Sequence, residues 1–81
     1  MTLNSFCRTL MNYGWSRYRA NSYTVYLSRG RVGLELCSDS DGDWYISAGS
    51  CLYLFAIESI YAKSNRVILY LYDGGSETLW L

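Results

Sequence analysis

Residues 66–76 read RVILYLYDGGS, and this stretch decides the fold class. The first seven residues are β-branched, aromatic or leucine apart from Arg66, a composition that favours a strand. Asp73-Gly74-Gly75-Ser76 is a turn sequence, which ends that strand. Both alternating sets of the strand are apolar, with Val67, Leu69 and Leu71 on one face and Ile68, Tyr70 and Tyr72 on the other. Such a strand is typical of a central position in a sheet that is covered on two sides.

The segments on either side of residues 66–76 predict further strands. Residues 22–28 and 32–36 alternate apolar and polar side chains and flank Arg29-Gly30, a pattern that predicts an antiparallel hairpin. Residues 44–48 predict a third strand, which Gly49-Ser50 breaks, and residues 77–81 predict a short last strand. The apolar segment 51–62 is compatible with a strand or a short helix, and its composition favours the strand.

The N-terminal segment has helical periodicity. An apolar stripe at positions i, i+3, i+4, i+7 and i+8 predicts a helix of about three turns, with Thr2 as N-cap and Gly14 as its end. The stripe consists of Leu3, Phe6, Cys7, Leu10 and Met11. We therefore predict an α+β fold over residues 1–81 as a single domain. Its helix packs on an antiparallel sheet of about five strands, which is either open or curled into a small barrel.

The composition argues against several classes of function. The chain has no histidine, so the commonest general base and metal ligand is missing, and we expect no enzyme activity, no metal and no cofactor. The apolar run Cys51–Ile57 is too short to span a bilayer, so no membrane partner is expected. Three cysteines, an odd number in a chain that is not cysteine-dense, predict free thiols and a cytoplasmic location.

The charges are separated along the chain although the net charge is zero. Residues 1–34 contain arginines and no acid, whereas residues 35–60 contain acids and no base. The two blocks either pair on the folded surface, where each pair contributes little, or form separate basic and acidic faces that attract partners.

The acidic loop after residue 38 is the first candidate site. Counted from Asp39, its sixth residue is a tryptophan and its twelfth a serine, so it lacks the glycine and glutamate of an EF-hand calcium loop. One interpretation is a solvated turn between strands, with Asp and Gly chosen for turn geometry. The other, on which the predicted function depends, is an acidic loop that docks into a basic groove on another protein. The predicted partner-binding residues are Asp39, Asp41, Asp43, Trp44 and Tyr45. Charge reversal of the three aspartates is then expected to abolish binding and to leave the thermal midpoint nearly unchanged.

The second candidate site interleaves arginine with aromatic rings, a combination that binds single-stranded nucleic acid through phosphate contacts and base stacking. The residues of this alternative are Arg17, Tyr18, Arg19, Tyr26, Arg29 and Arg31. The competing interpretation is that alternate aromatic residues form the core and the arginines face solvent. A third possibility is a structural homodimer subunit that buries aromatic faces between chains.

The segment from Ile57 to Leu81 resembles the β-hairpins of LytTR-type DNA-binding domains in its order of apolar strand, turn, apolar strand and Asp-Gly. No function is transferred on that pattern. From the residues themselves we predict a non-enzymatic protein–protein interaction module. By analogy of general character, it is compared with phage or mobile-element inhibitors of host defence such as anti-CRISPR proteins.

Overall fold

The computed structural model describes residues 1–49 and 51–81, which form one helix followed by seven strands. A single 3-10 turn, Leu54–Ala56, precedes the fifth strand. The elements are α1 (Leu3–Asn12), β1 (Ser16–Asn21), β2 (Thr24–Arg29), β3 (Val32–Ser38), β4 (Trp44–Ile46), β5 (Ile57–Ala62), β6 (Arg66–Leu71) and β7 (Ser76–Trp80).

The helix α1 has the predicted ends. The Thr2 hydroxyl accepts a hydrogen bond from the Ser5 backbone N–H at 3.1 Å, which satisfies one of the free donors at the start of the helix. Gly14 follows its end with φ +94°, a conformation that glycine adopts without a Cβ clash. Phe6, Cys7 and Leu10 are buried, but Met11 is 48% exposed and lies at the edge of the buried stripe.

The first sheet is an antiparallel meander in the order β1-β2-β3-β4. The predicted hairpin is present as β2 and β3, with Val25 opposite Leu36 and Leu27 opposite Leu34. Strand β1 was not predicted, because all six of its residues are exposed and the segment therefore lacks alternation of apolar and polar residues. It is an edge strand that follows β2 in register from Ser16 to Arg19.

The second sheet is an antiparallel meander in the order β5-β6-β7. Strand β6 lies at its centre, as residues 66–76 predict, and β7 follows the turn at residues 72–75. Only one face of β6 is covered, however: Val67 and Leu69 are fully buried, whereas Ile68 is half-buried and Tyr70 is 44% exposed. The predicted cover on both faces is therefore wrong for this chain alone.

The strands form two sheets, so the expectation of one sheet of about five strands is wrong in this detail, and neither sheet closes into a barrel. The cause is the segment 47–56, which carries the chain from β4 to β5 and contains the 3-10 turn. Gly49 and Cys51 have φ +59° and +56°, so the backbone changes direction there. Of the predicted break at Gly49-Ser50, Ser50 lies outside the described residues.

The core is a single cluster to which the helix and both sheets contribute. Its fully buried large side chains include Phe6 and Leu10 from α1, Leu27 from β2, Leu36 from β3 and Leu69 from β6. Because the inner faces of both sheets point at this cluster, their other faces point away from it, toward solvent.

Two further expectations concern the membrane and the thiols. Among the residues that the structure describes, no helix has both the length and the apolar character needed to cross a membrane. Cys7, Cys37 and Cys51 are all free, and they are respectively buried, half-buried and exposed.

Candidate functional site

The acidic loop is organised by Asp39. Its Oδ1 accepts hydrogen bonds from the backbone N–H groups of Asp41 and Asp43, each at 3.0 Å. Its Oδ2 accepts a hydrogen bond from the Tyr53 hydroxyl at 2.9 Å. These bonds lower the pKa of Asp39, and the bond from Tyr53 is the largest cause. Asp39 therefore holds the loop in shape, while Asp41 and Asp43 are exposed to solvent.

This role of Asp39 changes the prediction for charge reversal of all three aspartates, which was expected to leave the thermal midpoint nearly unchanged. Asp39 accepts three hydrogen bonds, which a lysine in its place could not accept, so its reversal disturbs the loop. Reversal of Asp41 and Asp43 alone removes two exposed charges without removing the acceptor that shapes the turn. The charge of the loop is tested with these two residues.

Carboxylate oxygens of Asp39, Asp41 and Asp43 lie within 4.8 Å of one another, a spacing that a metal ion could accept. The two oxygens of Asp39 already accept hydrogen bonds from the loop and from Tyr53. Exposed acidic groups commonly cluster in turns, so this spacing alone does not identify a metal site.

Trp44 and Tyr45 do not act as a pair, because successive residues of a strand point to opposite faces. Tyr45 lies on the outer face, where its ring packs on Tyr53 with the centroids 5.4 Å apart. Trp44 has the same parity as the buried Ile46, and the guanidinium of Arg19 lies 5.6 Å from the centroid of its ring. Both tryptophan and tyrosine are half-buried, so neither is a freely exposed ring.

The outer face of the first sheet brings together a set of aromatic rings and acids that we call the tyrosine–acid face. Tyr18 on β1 stacks on Tyr26 of β2 with the ring centroids 6.5 Å apart, and Tyr26 lies directly opposite Glu35 of β3. The row of rings continues from Tyr45 on β4 to Tyr53 and Phe55 in the segment 47–56. Phe55 is 62% exposed. The face consists of Tyr18, Tyr26, Glu35, Tyr45, Tyr53 and Phe55, with Asp39 hydrogen-bonded to its rim.

Each of the two acids on or beside this face is linked to a phenol. Hydrogen bonding to Glu35 raises the pKa of Tyr26, and hydrogen bonding to Asp39 raises the pKa of Tyr53. The Cys37 thiol donates to Glu35 Oε1 at 3.2 Å, and hydrogen bonds from Cys37 and then Tyr26 lower the pKa of Glu35. The carboxylates therefore stay charged and the phenols stay neutral over the physiological pH range.

The arginines of the second candidate site are not on the same face as its tyrosines. Arg17 and Arg19 lie opposite the buried residues Leu27 and Val25, on the inner side of β1, whereas Tyr18 and Tyr26 lie on the outer side. Arg17 donates to Asn4 Oδ1 on the helix at 3.4 Å, and Arg19 donates to the carbonyl oxygens of Asn21 and Ser22 at 3.1 and 3.2 Å.

The remaining arginines of that site lie near the β2–β3 hairpin. Arg29 donates to the carbonyl oxygens of Tyr13 and Lys63 at 3.4 and 3.5 Å, and Arg31 is exposed in the turn. Within the described residues, every hydrogen bond from an arginine side chain ends on a neutral oxygen. The basic and acidic blocks are thus not joined by these bonds.

A cleft of about 450 Å³ lies at the rim of the tyrosine–acid face, between the start of α1 and the acidic loop. It is lined by Leu3, Arg19, Asp43, Trp44 and Phe55 among others. The side chains that line it supply one cation, one carboxylate and several apolar surfaces.

Sequence reasoning missed Glu35, Tyr53 and Phe55. Glu35 was placed in the acidic block, and its position opposite Tyr26 depends on a strand register that alternation alone does not give. Tyr53 and Phe55 lie in the segment 51–62, where the available signal was the run of four leucine and aromatic residues at 52–55, without a clear period.

No family model matches the chain, and neither curated proteins nor solved structures give a significant match. The resemblance of residues 57–81 to LytTR-type hairpins is therefore one of strand pattern alone.

Proposed function

We propose that this protein is a non-enzymatic binding module whose tyrosine–acid face holds a basic surface of another protein. The observation that carries the proposal is the pairing of carboxylates with exposed rings on one sheet face. Tyr18 is 66% exposed and Tyr26 is 41% exposed, and Glu35 lies directly opposite Tyr26. Tyrosine supplies large contact area with few rotatable bonds, which is why it is enriched at protein interfaces.

The charge of the face selects the partner. Arginine and lysine are attracted to the faces of aromatic rings, and arginine also forms paired hydrogen bonds with carboxylates. A face that offers both types of group therefore favours a partner rich in these two cations. Asp41 and Asp43 extend the negative potential beyond the sheet and increase the rate of encounter with such a partner.

The single-stranded nucleic-acid alternative is less well supported by the placement of its residues. Its stacking rings, Tyr18 and Tyr26, share their face with Glu35, whose charge repels phosphate. Its cations Arg17 and Arg19 belong to the other side of β1, and Arg19 is engaged by two carbonyl oxygens and the Trp44 ring. Zero net charge adds to this argument.

The experiment that tests the proposal places a photo-crosslinking amino acid on the face. One variant carries it at Tyr18 on β1 and a matched control carries it at Tyr72 in the turn after β6, because these side chains are 66% and 65% exposed. After irradiation in lysate of the cells in which the protein is expressed, with and without nuclease, adducts are identified by mass spectrometry. We expect a nuclease-resistant adduct with one protein from position 18 and none from position 72.

A second crosslinking experiment tests whether the charge of the acidic loop contributes to binding. The crosslinked partner is expected to be lost when Asp41 and Asp43 are changed to lysine and to be retained when Arg31 is changed to glutamate. Equal crosslinking from both positions would contradict the proposal, and adducts that disappear with nuclease would contradict it in favour of nucleic acid. Action as a phage or mobile-element inhibitor of host defence remains a prediction, which the identity of the partner would test.

A further inference from the structure

Strand β1 forms a free edge of the first sheet. It lies at the end of the order β1-β2-β3-β4, and all six of its residues are exposed. Free edges commonly carry a proline or a bulge, which stops another chain from pairing with them. This chain has no proline, and the pairing of β1 with β2 is regular from Ser16 to Arg19. An added strand can therefore reach this part of the edge.

The backbone groups of Arg17 and Arg19 point away from β2. In an antiparallel ladder, successive residues direct their N–H and C=O groups alternately to one side and to the other. The carbonyl oxygen of Tyr23, directly before β2, accepts a hydrogen bond from the last residue of β3 at 2.9 Å. By alternation, Val25 and Leu27 also bond to β3, so the residues opposite them on β1, Arg19 and Arg17, have no backbone bond to β2.

Arg17 and Arg19 thus turn two N–H donors and two C=O acceptors to the free edge. Within the described residues, the backbone hydrogen bonds of turns and loops leave these groups unpaired as well. Tyr18, between the two arginines, has the opposite orientation and bonds to Tyr26 of β2. An antiparallel strand on this edge would exchange a pair of backbone hydrogen bonds with each arginine.

The side chains of Arg17 and Arg19 make this edge basic. Both lie on the inner side of β1, and their hydrogen bonds end on neutral oxygens, which do not cancel a charge. The elements packed against β1 are α1 and β2, and the charged side chains of these elements are Arg8 and Arg29. Asp43 lines the same cleft as Arg19 and reduces the positive potential there, so the edge is most positive at Arg17.

The two arginines decide which strand can pair here. A second copy of β1, centred on Tyr18, would place Arg17 of one chain opposite Arg19 of the other, and like charges directly opposite each other are destabilising. Acidic residues at these two positions would be attracted instead. The residue between them would lie beside Tyr18, whose ring is 66% exposed and pairs well with a β-branched neighbour. Glu35, the acid of the outer face, lies two strands farther into the sheet, opposite Tyr26.

Strand β7 of a second copy does not supply acids at these positions. The Leu81 N–H, directly after β7, donates to the carbonyl oxygen of Asn65 at 3.0 Å, so by alternation Leu79 and Glu77 direct their backbone groups to β6. The residues whose backbone groups point outward are Ser76, Thr78 and Trp80. Antiparallel pairing of β7 with β1 would therefore place neutral side chains opposite the arginines.

Strand β5 of a second copy does not supply them either. The Lys63 N–H donates to the carbonyl oxygen of Arg66 at 2.8 Å, so the backbone groups of Ile60 and Ala62 point outward by the same alternation, and both residues are neutral. The acid of this strand, Glu58, lies at the register shift near the start of β5, where the ladder is irregular. The free edges of this chain thus do not match the two arginines.

We propose that the edge of β1 binds an extended acidic segment of another protein as an additional antiparallel strand. Acidic residues of this segment lie opposite Arg17 and Arg19, and an apolar residue between them lies beside Tyr18. In this mode of recognition the backbone hydrogen bonds supply affinity and alternate side chains supply specificity. The surface and the sign of its charge differ from those of the tyrosine–acid face, so failure of either proposal leaves the other intact.

The probe is a fluorescein-labelled peptide of about seven residues, the length of an ordinary strand, in which glutamate and valine alternate. A matched peptide has lysine in place of glutamate. Two further peptides keep all side chains but carry N-methyl groups, either on the glutamates, whose N–H groups would face β1, or on the valines, whose N–H groups would face away. N-methylation removes a backbone donor, so this pair tests strand pairing separately from charge.

Fluorescence anisotropy with the purified protein measures each dissociation constant at one salt concentration. We expect the glutamate peptide and its valine-methylated form to bind with a Kd below about 1 mM, and the lysine and glutamate-methylated peptides to bind at least about tenfold more weakly. Arg17→Glu should weaken binding of the glutamate peptide at least about tenfold and strengthen binding of the lysine peptide. Arg31→Glu, the same charge change in the exposed β2–β3 turn, should leave both nearly unchanged. Circular dichroism and the thermal midpoint verify that both variants fold.

Amide hydrogen exchange, read by NMR, locates the peptide on the protein. The N–H groups of Arg17 and Arg19 should exchange rapidly in the protein alone and become protected when the glutamate peptide binds, because they then donate to its carbonyl oxygens. The N–H of Tyr18 already bonds to β2 and should be protected in both states, which makes it the control in the same sample.

Four outcomes would overturn the proposal. The first two are equal binding of the glutamate and lysine peptides, and equal binding of the glutamate peptide with and without methylated glutamates. The third is slow exchange at Arg17 and Arg19 without peptide, which would show that the edge is already paired with a second copy. The fourth is tighter binding of a labelled oligothymidylate than of the glutamate peptide, lost in Arg17→Glu, which would assign this edge to single-stranded nucleic acid.

Discussion

The Tyr53 hydroxyl donates to Asp39 Oδ2 at 2.9 Å and thereby fastens the acidic loop to the segment that leads from the first sheet to the second. The two residues are fourteen positions apart, and Tyr53 is also bridged to Tyr45 of β4. The loop that presents Asp41 and Asp43 is thus held at its base by a side-chain contact as well as by the β3–β4 pairing. Because of this contact, Asp39 shapes the loop, whereas Asp41 and Asp43 stay exposed at its surface.

Removal of the Tyr53 hydroxyl should raise the pKa of Asp39. In the variant Tyr53→Phe the ring remains in place but the largest cause of the lowered pKa is lost, so the pKa of Asp39 is expected to move toward its ordinary value. NMR titration of the aspartate and glutamate side-chain carboxyl carbons measures this directly. Glu35 serves as an internal control, because its lowered pKa arises from Cys37 and Tyr26 and should not change.

The same bond makes stability depend on pH in acid. Because the pKa of Asp39 is lower in the folded protein, its contribution is fully present above the unfolded-state pKa of about 3.9 and is lost as the pH falls through the folded value. Urea midpoints of Tyr53→Phe should therefore lie below those of the wild type at neutral pH and approach them in acid. A difference that stays constant with pH would show that packing, not the hydrogen bond, is responsible.

The fold class could be predicted because its elements have strong local signals. The helix stripe with Thr2 and Gly14 at its ends, and the run 66–76, each agree with the structure in type and position. Pairing between strands does not follow from periodicity, which is why the strands were expected in one sheet. The edge strand β1 carries no periodic signal at all, since none of its residues is buried.

The candidate site could be predicted only in part, for a related reason. Charge separation along the chain marked the acidic loop, which the structure places beside the tyrosine–acid face. The partnership of Glu35 with Tyr26 and of Asp39 with Tyr53 depends on register and on a contact across the linker. Alternation assigned Trp44 and Tyr45 to opposite faces, and a prediction that used both as one contact surface overlooked this consequence of strand geometry.

The packing of α1 is tested by two neighbouring residues of its apolar stripe. Leu10 is fully buried and Met11 is 48% exposed. Leu10→Ala should cost about 2–5 kcal/mol, because it removes a buried side chain and leaves a cavity. Met11→Ala should cost less than about 1 kcal/mol, because much of this side chain already contacts water. Urea denaturation of both variants measures the difference, and equal costs would contradict the orientation of the helix.

The three thiols should differ in reactivity toward iodoacetamide at neutral pH. Cys51 is exposed and should react first, whereas burial raises the pKa of Cys7 and of the half-buried Cys37, which disfavours the reactive thiolate. Labelling for increasing times, followed by peptide mass mapping, gives the order Cys51, Cys37, Cys7. In denaturant the three rates should become similar. Early labelling of Cys7 under native conditions would show that the helix is not packed as described.

The pairing of Tyr26 with Glu35 makes a further prediction about the centre of the tyrosine–acid face. Hydrogen bonding to Glu35 is the largest cause of the raised pKa of Tyr26, so Glu35→Gln should lower this pKa toward about 10, the ordinary value for tyrosine. NMR titration of ring-labelled tyrosine follows the change. The raised pKa of Tyr53 arises from Asp39 and should be unaffected, which makes Tyr53 the control within the same sample.

The contribution of Tyr26 to stability depends on pH in the opposite direction to that of Asp39, because the pKa of Tyr26 is raised and that of Asp39 is lowered. A raised pKa in the folded state means that the contribution of Tyr26 is fully present below pH 10, roughly the unfolded value, and is lost as the pH rises through the folded value. The wild type should therefore lose stability more steeply than Glu35→Gln in alkali. If the two proteins keep parallel stability curves above that pH, hydrogen bonding to Glu35 is not the cause of the raised pKa of Tyr26.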